Sequence, residues 1–326
     1  MQVIRWGILG LGKIANKFAS DLLLVEDTKL VAVASTNLER AKSFASCYGA
    51  DKFYGSYNEL FEDTVVDIIY IASLHPQHAP LSIESLLNGK AVLCEKPLAM
   101  NVIQVEEMIA VSKEKKIFLM EALWTRFNPA FCQAKTWIDE GSLGSIHYIN
   151  ATFSFNGLHK DEDSRLFNPI KGGGTLLDIG IYPIFLAYYL LGMPKNIKAS
   201  AHLTSKGVDK QLAIILTYDH AHAILYSSFT HNEDMRATIA GENGEIYIDD
   251  RWHESPTLNL VQSKVKTPKS FKFLGLGYSY EIIEASQCLR EGVIESSKWS
   301  HQNSLELMKI IDSVRKTAGI SCYNDI

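Results

Sequence analysis

From residue 3 to about residue 122 the chain alternates short β-branched runs with stretches of helical period. The runs are "VIRWGIL", "LVAVAS", "VDIIYIAS", "AVLCE" and "IFLMEA", and between them lie Ile14–Leu24, Leu38–Tyr48, Ala79–Leu87 and Val102–Lys115. The central runs are almost continuously apolar, as strands covered by helices on both faces must be, so the pattern predicts a doubly wound parallel sheet. After a helical stretch at Pro129–Asp139 and an apolar one at Gly174–Leu191, strand signals follow one another directly: "SIHYINATFSF", "NIKASAHL", "QLAIILTY", "HAILYSSFT", "RATIAG", "GEIYID" and "TLNLVQ". Turn pairs such as Asp219–His220, Glu242–Asn243 and Asn243–Gly244 separate several of them, which predicts a large, mainly antiparallel open sheet. In the first of these strands Ile149, Ala151, Phe153 and Phe155 alternate with Tyr148, Asn150, Thr152 and Ser154, so one face packs on helices and the other is left for a partner. The expected fold is therefore α/β: a parallel domain over 1–122, then an α+β domain over 123–326. No element is assigned beyond Gln262.

The 326 residues and 47% hydrophobic content suit two globular domains with sizeable cores. A net charge of −5, with no run of Lys or Arg, points away from nucleic acid and anionic membranes and toward a small-molecule partner. The N-terminus lacks the pattern of a signal peptide and no apolar run is read as a membrane span, so a cytoplasmic protein is expected. Five scattered cysteines, Cys47, Cys94, Cys132, Cys288 and Cys322, contain no C-x-x-C pair and are read as reduced thiols, with no metal site.

Chemistry enters with "WGILGLGKIANKF". Gly10-x-Gly12-x-x-Ala15 ends the first strand and opens the first helix: Gly10 for the turn, Gly12 for close approach of a pyrophosphate, Ala15 for helix–strand packing. The helix N-terminus then faces the phosphates, which implies a dinucleotide. The second strand ends "VASTNLER", where Ser35, Thr36 and Asn37 stand in place of an acid that would bind a ribose 2′-hydroxyl, and Arg40 follows. This favours NADP, with NAD as the alternative. Glu95-Lys96-Pro97 closes "AVLCE" at the carboxyl edge of the sheet, where ligands of such folds bind.

These motifs, with "SLHPQHAPLSIESLLNGKAVLCEKPLA" and "GGGTLLDIGIYP", resemble the Gfo/Idh/MocA oxidoreductase superfamily over the whole chain. "FLMEALWTRFNP" together with Tyr182 is similar to its dimeric dihydrodiol dehydrogenase / NADP-dependent D-xylose dehydrogenase branch. The resemblance implies a Rossmann domain and pyridine-nucleotide chemistry on a sugar, polyol or diol. The free face of the second sheet, with Thr217, Tyr226 and Ser228, predicts a homodimer or dimer of dimers. The resemblance puts the family's lysine on Lys96, its acidic helix residue on Asp178 and its acid/base on Tyr182, where most of the superfamily has histidine. His75 and His78 fall close to the expected nicotinamide, and Lys13, Ile14, Ser73 and Glu95 complete the cofactor set. Trp124 and Phe153 are implied as an aromatic substrate wall. Of the two arginines that the branch often carries for a 2′-phosphate, Arg40 matches one and Thr36 replaces the other.

Asp178 and Tyr182 stand four residues apart in a run otherwise apolar on nearly every side, so both are expected to face one polar cleft. Pro183 should kink the helix there, and the Lys96 ammonium should favour tyrosinate at Tyr182. Two other functions fit the superfamily: a non-catalytic nucleotide- and sugar-binding regulator, against which Lys96, Asp178 and Tyr182 together argue, and an NAD-dependent redox glycosidase, which the tyrosine disfavours.

Overall fold

The computed structural model describes residues 2–321, so Cys322 lies outside the described residues. By contacts the chain divides into two units: the residues up to Phe127 with Phe273–Leu305, and Asn128–Lys272 with the chain from Glu306 on. A single boundary at 122/123 is thus replaced by a first unit built from two stretches of sequence.

The first unit contains a six-stranded parallel sheet, order β3-β2-β1-β4-β5-β6. Its strands are β1 (Ile4–Leu9), β2 (Thr28–Ala34), β3 (Lys52–Tyr54), β4 (Ile68–Ile71), β5 (Ala91–Glu95) and β6 (Leu119–Ala122). Helices α1 (Lys13–Leu22), α2 (Leu38–Tyr48), α3 (Tyr57–Glu62), α4 (His78–Leu87) and α5 (Val102–Lys115) connect them. Strands β4 and β5 and all but the first residues of β2 are buried, which explains their unbroken apolar composition. β3 and α3 were not expected. β3 is three residues long and mostly exposed, and carries no apolar run. α3 did carry a signal: Ser56 and Glu59 form a reciprocal capping box.

The second unit holds α6 (Pro129–Asp139) and an eight-stranded sheet, order β14-β13-β12-β11-β7-β10-β9-β8. Here β7 is Ile146–Ser154, β8 Asn196–Leu203, β9 Asp209–Thr217, β10 His222–Ser228, β11 Ala237–Gly241, β12 Glu245–Ile248, β13 Thr257–Gln262 and β14 Val265–Ser270. All its pairings are antiparallel except β7 with β10. Ile149 sits between Ala223 and Ile239, and Ala151 between Leu225 and Ala237; all six are buried, and α7 (Ile181–Leu191) packs on β7 and β10. β14, wholly exposed and containing Pro268 and three lysines within or next to it, has the composition of a protected sheet edge and no apolar alternation to reveal it.

The 23 residues Pro169–Leu191 have the length and composition of a membrane span, contrary to the expectation that no run does, but 83% of the most apolar window is buried inside the fold. It is a core helix.

Two further helices, α8 (Ser279–Glu291) and α9 (His301–Ala318), follow the second sheet, and the division at Leu305 falls within α9. The return of the chain to the first unit is fastened at Asp21, near the end of α1. Its buried carboxylate accepts hydrogen bonds from the backbone N–H groups of Leu276 (2.8 Å), Tyr278 (2.8 Å) and Ser279 (3.1 Å). Tyr278, the residue before α8, supplies no side-chain cap, so Asp21 serves as its acidic cap from across the unit. A second fastening lies on β6, the edge strand. Leu119 N–H donates to the Ile294 carbonyl (3.0 Å), and the Leu119 carbonyl meets His301 Nε2 at 3.0 Å. The returning segment thus covers an edge that would otherwise present unpaired backbone.

Gly275 makes the first fastening feasible: its φ is +67°, and a Cβ there would lie 2.2 Å from Asp21 Oδ1. Gly275→Ala should cost about 2–4 kcal/mol, the sum of a left-handed alanine and a displaced charged hydrogen bond. Urea unfolding measures it; a loss below about 1 kcal/mol, within the range of an ordinary surface change, would show that the loop simply moves aside.

Candidate active site

The cofactor cradle is built where β1 meets α1. Gly10 has φ +85°, and a Cβ there would lie 2.7 Å from the Ala72 carbonyl, whereas nothing lies within 4 Å of a Cβ placed on Gly12. Gly12 is the N-cap of α1 without a side-chain cap, so the open N–H end of the helix faces that space. Ala15 is fully buried against the strand, while Lys13 is exposed and Ile14 half-buried. This is the geometry that a dinucleotide pyrophosphate needs.

At the end of β2 the four expected residues divide their work. Ser35 is buried and its Oγ accepts from Asn37 N–H (3.2 Å); Asn37 Oδ1 in turn caps α2 by accepting from Arg40 N–H (2.9 Å). Both shape the turn. Thr36 and Arg40 are exposed and available to a phosphate. Tyr57, which the sequence reading missed, lies close enough for the Arg40 charge to act on its hydroxyl, although burial dominates and pushes that phenol up.

The Glu95-Lys96-Pro97 turn is clamped from three directions. Glu95 Oε1 accepts from the buried Tyr70 hydroxyl (2.5 Å) and Glu95 Oε2 from Lys96 N–H (3.2 Å). The Lys96–Pro97 peptide is cis, and the Pro97 carbonyl lies 2.7 Å from His78 Nδ1. Leu98 N–H donates to Glu121 Oε1 (2.8 Å). His78 is fully buried, which lowers its pKa to about 4. A neutral imidazole has one N–H, and the shorter contact assigns it to Pro97; Nε2 stands 3.3 Å from the Ser73 carbonyl. His75 is buried with its ring edge-on to His78, 5.6 Å between centroids. Trp124, expected at the start of the second domain, belongs instead to the first unit and stacks on Tyr278 (4.7 Å, 16°).

In the second unit the chain forms a π-helical turn over Leu176–Gly180 before α7. The expected irregularity is thus present, but it precedes Pro183, whose missing N–H withdraws one rung of the ladder just beyond the wide turn. Asp178 and Tyr182, 8% and 6% exposed, flank the join. Asp178 is paired with Arg165 (2.9 Å), an exposed residue of the loop before the helix that the sequence reading did not single out. Tyr182 packs its ring against Phe153 (5.5 Å) and His253 (5.2 Å), and Phe153 stacks on His253 (4.1 Å, 23°). Phe153 and Tyr182 are therefore brought together. His253 was missed because it lies in an irregular stretch between β12 and β13, where no periodicity points to it.

A family model for the "Oxidoreductase family, NAD-binding Rossmann fold" matches residues 4–123, and one for the "GFO/IDH/MocA C-terminal domain" matches residues 131–247. The chain belongs to the GFO/IDH/MocA oxidoreductases. Among these, it is 37% identical over 330 residues to the trans-1,2-dihydrobenzene-1,2-diol dehydrogenase of Xenopus tropicalis, covering 97% of this chain and 98% of that one. The Homo sapiens enzyme of the same name is 35% identical, with 99% of each chain covered. Among solved structures, a 3-ketoreductase from Actinomadura kijaniata in complex with NADP and TDP-benzene superposes with a TM-score of 0.87 at 27% identity, over 97% of this chain and 98% of that one. An aldose–aldose oxidoreductase from Caulobacter crescentus, at 24% identity and TM-score 0.89 over 98% of both chains, shows the same fold. The superfamily and the dihydrodiol branch named from sequence are both shown, and the protein is an NAD(P)-dependent oxidoreductase.

The helix that carries Asp178 and Tyr182 is held at its start by Asp209, whose buried Oδ2 accepts from Thr175 Oγ1 and Leu176 N–H, both at 2.7 Å. Burial raises its pKa from 3.8 to about 6 despite these donors. The folded state then holds the proton more tightly than the unfolded chain. The resulting stability is fully present below pH 3.8 and is lost as pH rises through about 6. Asp209→Asn, neutral throughout, should erase about 3 kcal/mol of this pH dependence at about 1.4 kcal/mol per unit. Urea unfolding of both proteins from pH 4 to pH 7.5 would settle it: a difference that does not change with pH would contradict the assignment.

Proposed function

We propose that this oxidoreductase acts on a CH–OH group of a small sugar, polyol or vicinal diol, with NADP as its preferred partner and Tyr182 as acid/base. The observation that carries the reading is Tyr182 itself: a phenol held by Phe153 and His253 in an otherwise apolar helix, beside the ion-paired Asp178. Full-length similarity to dihydrodiol dehydrogenases supports the substrate class.

When bound, the nicotinamide supplies the acceptor for a hydride from the substrate carbon. Tyr182 takes the proton of the same carbon's hydroxyl, so that the alcohol becomes a carbonyl and the proton passes through the phenol to solvent. Lys96 assists by its positive charge, which favours the developing alkoxide. Asp178, fixed by Arg165, orients the substrate hydroxyls, and Trp124 and Phe153 offer apolar walls. Gly10, Gly12, Lys13, Ile14, Ala15, Ser73, His75 and His78 shape the cofactor site. Thr36 and Arg40, with no acid at the end of β2, support a 2′-phosphate. Among the described residues Cys47, Cys94, Cys132 and Cys288 are thiols, in keeping with a cytoplasmic protein.

A panel of sugars, polyols and diols, with trans-1,2-dihydrobenzene-1,2-diol and D-xylose among them, should show turnover at 340 nm with kcat/KM higher for NADP than for NAD. An NAD preference beyond about tenfold would refute the reading of Ser35–Arg40. On the best substrate Tyr182→Phe should lower kcat by about 10²–10⁴-fold while leaving NADP affinity unchanged. If this variant keeps more than about a third of wild-type kcat while a deuterium isotope effect shows hydride transfer to be rate-limiting, the proton carrier is another residue.

We also propose a homodimer, or a dimer of dimers, through the outer face of the second sheet. Tyr148, Ile215 and Ile224 are 37%, 40% and 44% exposed there, and Ile215 pairs directly with Ile224 across β9 and β10. Thr217 and Tyr226 are half-buried on these strands, whereas Ser228, expected on the free face, is buried with its Oγ against Thr230. Light scattering should give at least twice 36.4 kDa at micromolar concentration, and Ile224→Lys should shift the mass toward the monomer. A wild-type monomer would rule the interface out.

A further inference from the structure

Glu121, on the edge strand β6, is a fully buried carboxylate with no part in the chemistry above. It accepts three hydrogen bonds from two directions. Leu98 N–H, two residues beyond Lys96, donates to Oε1 at 2.8 Å. Trp299 Nε1 and Ser304 Oγ, both in the segment that returns to the first unit, donate to Oε2 at 3.1 and 2.7 Å. Burial pushes the Glu121 carboxyl up; the three donors and the Lys96 charge act in the opposite sense, so Lys96 lies within electrostatic reach.

A turn three residues long has little rigidity of its own, and Lys96 sits at its centre. Its other two clamps, Tyr70 on Glu95 and His78 on Pro97, both come from the stretch that includes β4 and the start of α4. Glu121 ties the turn, through Leu98, to the returning segment. We propose that Glu121 is a positioning residue for Lys96, transmitting the placement of Trp299 and Ser304 to the Glu95-Lys96-Pro97 turn. A carboxylate suits this task because it offers acceptors to opposite sides at once and, being buried, cannot trade them for water. Glutamine keeps the shape but turns an N–H₂ either toward the Leu98 N–H or toward the Trp299 and Ser304 donors, so the turn loses either its own tie or that of the returning segment. The proposal rests on Lys96 assisting the reaction.

The test measures kcat, KM and NADP affinity for Glu121→Gln, Ser304→Ala, Lys96→Met and the Glu121→Gln/Lys96→Met double variant, on the best substrate of the panel. Positioning predicts a 10–100-fold lower kcat for Glu121→Gln, with KM and NADP affinity within about threefold, the pattern of an interaction felt in the transition state alone. Ser304→Ala, which never touches the turn, should lower kcat by about 3–10-fold and covers the case in which Glu121→Gln does not fold. In the Lys96→Met background Glu121→Gln should add no further loss. If either single variant keeps more than half of wild-type kcat, or the loss is as large without Lys96 as with it, Glu121 does not act through Lys96. If Lys96→Met itself leaves kcat intact, or the wild type turns over no member of the panel, it is the role of Lys96 that fails, and this proposal fails with it.

Discussion

A carboxylate taken out of water must be met by donors, and in this molecule that requirement decides how distant pieces of chain are joined. Asp21 is the clearest case. At the end of the helix that opens the dinucleotide cradle, it gathers the backbone N–H groups of Leu276, Tyr278 and Ser279. Three such bonds to one charged group outweigh the neutral ladder bonds of a helix turn, and none of them can be exchanged for water without exposing the rest. Because α8 begins there, the first unit is completed by sequence some 250 positions away, and Tyr278 is delivered to the face of Trp124.

The same device recurs at Glu121 and Asp209 on different elements. Glu121 joins the turn after β5 to Trp299 and Ser304; Asp209, at the start of β9, holds Thr175 and Leu176, where the π-helical turn begins. Each carboxylate is raised in pKa by its burial, so each costs stability when ionised, and the compensation is geometric. What it secures is register. Near each side chain with proposed chemistry, Lys96 on one side and Asp178 and Tyr182 on the other, a buried acid fixes the backbone a few residues away.

Local pattern carried most of the architecture. The apolar runs of β1, β2, β4, β5 and β6 and the alternation in β7 are statements about which face meets a core, and packing had no reason to overrule them. Gly10 and Gly12 were legible because the motif that holds them is local, three positions at the turn between one strand and the next helix. What could not be read was anything defined by a partner far along the chain. Asp21 is one more acid in a helix until Leu276 reaches it, and Glu121 looks out of place in an apolar strand until Trp299 and Ser304 arrive. The return of the chain to the first unit escaped for the same reason: nothing in Phe273–Leu305 announces which core it joins. Arg165 is a similar case, since an arginine in a polar loop gives no sign that it ends on Asp178.

The histidines show how burial, rather than residue type, decides who can handle a proton. A proton carrier needs a reachable atom and a pKa close to the working range. His78 has neither: it is sealed from solvent, burial holds it neutral down to about pH 4, and its single N–H is engaged by the Pro97 carbonyl. It functions as a strut for the turn that bears Lys96. For the proton transfer proposed at Tyr182, a phenol suits its surroundings. Tyr182 keeps an apolar ring that can pack against Phe153 and His253 while its hydroxyl alone remains polar, so it can be placed in a nearly all-apolar helix at small cost. A histidine at the same position would have to carry two ring nitrogens into that wall. The tyrosine and the greasy helix around it are therefore one choice: the sequence can stay apolar on almost every side because the acid/base proposed there needs only one polar atom.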